Sequence, residues 1–126
     1  LESFEGELLL QSICAIIKSD GKIHQKELEN VEIILNQYDN ELQDLNVNSK
    51  LLLSQFDIEI NLNYKIATDH FNAIVNLLNE NKSFTSDFLH LVLKIDRNLA
   101  LVVNQMNKSE LIMLSRLGSI FRNYLS

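Results

Sequence analysis

Apolar side chains return every three or four residues through most of this chain, the period of one face of an α-helix. Phe4, Leu8, Leu9, Ile13, Ile16 and Ile17 keep that spacing and predict an amphipathic helix over residues 3–19. Leu28, Val31, Leu35 and Tyr38 predict a second over 25–38. Tyr64, Ala67, Phe71, Ile74 and Leu78 mark one over 63–79. Phe88, Leu91, Val92, Ile95 and Leu99 mark another that starts near Thr85. Leu111, Leu114, Leu117, Phe121 and Leu125 predict the buried face of a last helix over 108–125. Nothing breaks these helices from within, because the 126 residues include no proline and only 3 glycines.

Residues 39–63 are less regular. Leu42 and Leu45, then Leu51 to Leu53 and Phe56, form short apolar clusters separated by Asn, Asp and Ser. They predict one or two short helices with loops. Phe56, Ile58, Ile60 and Leu62 also alternate with polar residues in the period of a strand, but a lone strand has nothing to pair with. The expected fold is all-α: a compact bundle of six or seven helices in one domain over residues 1–126. A chain of this length buries about two-thirds of the surface its unfolded form exposes. Because it begins at Leu1 rather than Met, it is expected to be part of a longer protein.

Charge narrows the partners. The net charge is −6, and residues 1–60 hold 12 acids and 4 bases against 5 acids and 7 bases in residues 61–126. An acidic front half repels phosphate backbones, and no Lys/Arg stripe with interleaved aromatics offsets it, so nucleic-acid binding is not expected. A cation, a basic partner or simple solubility fits better. No apolar run reaches the roughly 18 residues that span a bilayer, so no direct membrane insertion is expected. The single Cys14 permits no internal disulfide, and the expected location is cytoplasmic. Cys14 sits beside Ile13 on an apolar helix and reads as an inert buried thiol.

The chemistry concentrates at Asp20-Gly21. These residues end the first helix, and Glu27 follows in the first turn of the second. His24-Gln25-Lys26-Glu27 and Asn107-Lys108-Ser109-Glu110 share the spacing of a capping box, in which a glutamate reaches back to the N-cap N–H. Capping explains both glutamates by one mechanism. The alternative is a divalent cation held by Asp20 and Glu27. Aligned on Gly21, this turn matches the calcium loop of an EF-hand at Asp20, Ile23 and Glu27. Ile16 and Lys18 then fall where oxygen ligands are needed, so a working EF-hand is excluded. A faint repeat at an offset of 83 aligns Ile16 with Leu99, Ile23 with Met106, Glu27 with Glu110, Val31 with Leu114 and Tyr38 with Phe121. Each copy is helix, turn, helix, with a buried residue expected in the turn. If the repeat folds Glu110 nearby, it joins Asp20 and Glu27 as a third candidate metal ligand. His24, His70 and His90 show no ligand spacing, and no phosphate-cradling glycine loop or nucleophile elbow is present. Catalysis is therefore not expected.

The segment from Ile13 to Leu35 resembles the signature of the tellurite-resistance TerB-like family. That signature runs from an apolar helix through a small residue and Asp-Gly into a helix with an early glutamate. Ser19, Asp20, Gly21, Glu27 and Leu28 fit it. The resemblance implies a compact helical module associated with resistance to chemical stress or phage, with acidic residues around Asp-Gly turns binding divalent metal. The second turn departs from the pattern, since the offset of 83 places Val103 and Asn104 where an Asp-Gly pair would stand. The expected function is a non-catalytic module that binds a protein partner and a divalent cation. The alternative is a metal-independent scaffold or oligomerisation domain of a larger protein.

Overall fold

In a computed structural model, which describes residues 3–102 and 107–126, the fold is all-helical. Among these residues seven helices follow one another: α1 (Phe4–Ile17), α2 (Gln25–Gln37), α3 (Asp39–Asp44), α4 (Ser49–Glu59), α5 (Ala67–Glu80), α6 (Ser86–Leu101) and α7 (Lys108–Leu125). Helix α1 is the hub, packing on α4, α5, α6 and α7, while α2 leans on α4 and α6. Every residue from Leu8 to Ile17 is buried. The amphipathic reading of this segment is thus corrected: a helix covered on all sides needs no polar face. Only its first turn reaches solvent, with Phe4 58% exposed.

Caps set the helix boundaries. The side chains of Ser3, Asn48, Thr85 and Asn107 each accept from a backbone N–H in the first turn of the helix they precede. Helix α5 begins later than the apolar spacing suggests. Asp69 accepts from the N–H of Ile66 at 2.8 Å, closing the first turn there and leaving Tyr64 exposed before it. Asn46 ends α3 with a φ of 65°, and Val47 N–H and Asn46 N–H return to the carbonyls of Leu42 and Gln43. This is a Schellman closure, sealed by burial of Leu42 and Val47. Strand-like alternation at 56–62 turns out helical: Phe56 and Ile60 are buried one turn apart, while Ile58 faces water.

The last helix buries Leu117 and Phe121 of its expected face but turns Leu111 and Leu125 away from the core. Met113 and Gly118 are buried as well. The rotation turns Glu110 inward, one turn ahead of Met113. Helix α2 does the same: Val31, Ile34 and Leu35 are buried, and Glu27 lies one turn ahead of Val31 on the same stripe. In both helices a carboxylate occupies the first core position.

Candidate functional site

The site forms where the first turns of α2 and α7 meet beside the Asp20-Gly21 turn. Gly21 has a φ of +81°, a left-handed conformation that a side chain resists, and it lets the chain reverse sharply into α2. His24 is the N-cap of α2 and Asn107 that of α7, so Glu27 and Glu110 each sit at the third helical position. These are the pairs aligned by the 83-residue offset. The structure brings Glu27 and Glu110 together and sets Asp20 beside them. The turn positions Val103, Asn104 and Met106 lie outside the described residues. Ile23, expected to be buried in the first turn, is 44% exposed.

The capping reading fails at both glutamates. Glu27 is 0% exposed and Glu110 1%, and among the described residues none of their four carboxylate oxygens has a hydrogen-bond partner. Neither reaches back to its N-cap N–H. For α7 that leaves half a capping box, with Asn107 Oδ1 accepting from the N–H of Glu110 at 2.8 Å. His24 gives α2 no side-chain cap at all. Burial raises the Glu27 carboxyl most, and the facing Glu110 and then Asp20 raise it further, to about 8. Glu110 is raised as well, by burial first. As two carboxylates the pair has no donor among the described residues; one proton shared by the pair supplies a hydrogen bond between them.

Asp20 is differently placed. Its Oδ1 accepts from the N–H of Lys22 at 3.0 Å, and its Oδ2 from His24 Nε2 and Asn107 Nδ2, both at 2.9 Å. Burial works against its charge, but the His24 and Lys22 hydrogen bonds outweigh it and hold the carboxyl below its ordinary value. An ionised Asp20 only accepts, so Nε2 of His24 carries the hydrogen. Among the described residues no three His, Cys, Asp or Glu side chains are grouped closely enough to enclose a metal by themselves. The two glutamates nevertheless fit a cation on their own chemistry: four buried acceptor oxygens, no donor among the described residues, and two acids facing each other.

A second buried polar cluster was not visible in the sequence. His70, 0% exposed, meets Gln11 through Nδ1 and Oε1 at 2.7 Å, across 59 residues. Gln11 Nε2 donates to Glu7, and Glu59 pairs with Lys65 at 2.9 Å. Lys18 Nζ donates to the carbonyls of Leu62 and Lys65. Burial and then the charge of Lys18 lower His70 to about 4, so it stays neutral. Elsewhere Asp96 is wholly buried and its carboxyl is pushed well up by burial. It faces Ser12, whose hydroxyl donates to the carbonyl of Leu9. Cys14 is buried and its thiol is pushed up by burial, as expected of an inert side chain. Comparisons of this chain with protein-family models, with curated proteins and with solved structures give no match.

Proposed function

We propose that this chain is a non-catalytic, TerB-like helical module that binds a divalent cation and a protein partner, in bacterial stress resistance or defence. Glu27 and Glu110 would hold the ion, with Asp20 adding negative charge beside them. One observation carries this reading: two carboxylates lie fully buried against each other without a donor among the described residues. A buried charge is normally paired, and an unpaired one is destabilising. A doubly charged cation offsets both carboxylates at once, where a proton offsets one. The oxygens suit hard ions such as Ca²⁺, Mg²⁺ or Mn²⁺, with water completing the shell. The fit of Ser19, Asp20, Gly21, Glu27 and Leu28 to the TerB-like pattern supports the same assignment.

Partner docking draws support from Ile58, Tyr64 and Ile66, which are 61%, 76% and 61% exposed within one short stretch around the α4–α5 turn. No described helix is long and apolar enough to cross a membrane, and the proposed setting is cytoplasmic. Calorimetry with Ca²⁺, Mg²⁺, Mn²⁺ and Zn²⁺ tests the ion. Binding to the intact chain is expected, lost in Glu27→Gln and Glu110→Gln and weakened in Asp20→Asn. No heat at millimolar metal would leave the metal-independent scaffold in its place.

A further inference from the structure

We propose that Asn107 is a positioning residue that, through Asp20, clasps the N-termini of α2 and α7 together and so sets Glu27 opposite Glu110. The inference rests on the cation reading for its purpose, and on hydrogen bonds for its geometry. Asn107 uses both ends of its amide: Oδ1 accepts from the N–H of Glu110, and Nδ2 donates to Asp20. Only an amide does both here, since a carboxylate cannot donate and a hydroxyl is too short to reach both ways. The same Asp20 oxygen that receives Asn107 also receives His24. Two helix N-caps, 83 positions apart in sequence, are therefore tied to one atom. Each helix then runs three residues to its glutamate, so both carboxylates arrive at the same level.

Such a clasp matters because the two glutamates repel each other once both are ionised. His24 makes no side-chain cap bond to α2, so its side chain is free to tie that helix start to Asp20. Asp20 is itself anchored by Lys22 N–H and by the left-handed Gly21 beside it. Asn107 thus connects α7 to a hydrogen-bonded residue of the turn.

The test exchanges Asn for Ser, which keeps a good N-cap and removes the link to Asp20. Asn48→Ser makes the same exchange at α4, where the Asn caps Leu51 N–H and is exposed to solvent, and serves as the control. Titration with Ca²⁺ and Mn²⁺ is expected to show affinity falling about 10–100-fold in Asn107→Ser, the effect of losing a group that orients ligands. Asn48→Ser is expected to match the intact chain. A cation-free readout accompanies it: spin labels at Glu29→Cys on α2 and Ile112→Cys on α7, both exposed, with Cys14 buried. The α2–α7 distance distribution is expected to be narrow in the intact chain and in Asn48→Ser, and broad or displaced in Asn107→Ser. A distribution unchanged by Asn107→Ser overturns the clasp, whatever the metal does. Metal binding absent from the intact chain, with the distribution still broadened by Asn107→Ser, overturns the cation reading and leaves the clasp standing.

Discussion

Two groups of buried polar side chains in this bundle face the same physical problem and meet it differently. Around His70 most charges and dipoles are matched: Lys65 answers Glu59, Gln11 answers Nδ1 of the imidazole, and Lys18 caps the carbonyls of Leu62 and Lys65, while Nε2 of His70 is left without a partner among the described residues. At the α2–α7 junction, among the described residues, Glu27 answers only Glu110, a second acid. Burial is tolerable in the first case because most of the lost water contacts are replaced. In the second they are not. Asp96, which faces Ser12, also lacks a hydrogen-bond partner among the described residues, but a lone carboxyl needs only its own proton to become neutral. A facing pair anchored at two helix starts is harder to explain as packing. On the proposed reading, the junction holds the cation and the His70 group is structural.

The largest effect expected from this contrast is on binding. Glu27→Gln or Glu110→Gln should lower divalent-cation affinity at least 100-fold, measured by calorimetry, while Glu59→Gln should leave it unchanged. Next comes His70→Ala, which empties a buried site and strands Gln11. Denaturant unfolding should show a loss of about 3 kcal/mol, with no change in cation affinity. The pH profile separates the clusters further. His70 titrates near 4 when folded and near 6.5 when unfolded, so between those values the unfolded chain holds more protons. Its contribution to stability is therefore present above pH 6.5 and falls away as pH drops toward 4. The expected size is on the order of 2–3 kcal/mol, visible as a difference between the intact chain and His70→Gln. Smallest is Lys65→Met, which removes a part-exposed partner of Glu59. It should lower stability by about 0.5–1 kcal/mol, and less at high salt.

Much of the helical plan follows from spacing alone, since a proline-free chain with apolar residues at helical steps has few other options. Helix rotation was harder to read. Leu111, Leu114 and Leu117 form as good a stripe as Met113, Leu117 and Phe121, and only packing against α1, α5 and α6 selects the second. That choice decides whether Glu110 faces water or the core. Asp20, Glu27 and Glu110 were legible as candidates because Asp-Gly and the early glutamates stand out in sequence. Their burial was signalled too, although faintly: stepping back one turn from Val31 and from Met113 lands on Glu27 and Glu110. Asn107 looked like an ordinary N-cap, because its second bond goes to a residue 87 positions away. The Gln11–His70 contact left no local trace for the same reason.

Thermal unfolding of the intact chain and of Glu27→Gln, each in chelator and in millimolar Ca²⁺ or Mn²⁺, tests the buried pair most directly. Because the Glu27 carboxyl is raised from 4.5 to about 8, the intact chain loses stability as pH rises through that window. A buried glutamine avoids that loss and can donate to Glu110. In chelator at pH 8, Glu27→Gln should therefore melt several degrees above the intact chain, by about 2 kcal/mol, and the gap should close near pH 4.5. Metal should raise the melting temperature of the intact chain alone. A variant that melts lower in chelator, beside an intact chain indifferent to metal, would mean that Glu27 is a structural side chain and that the pair holds no ion.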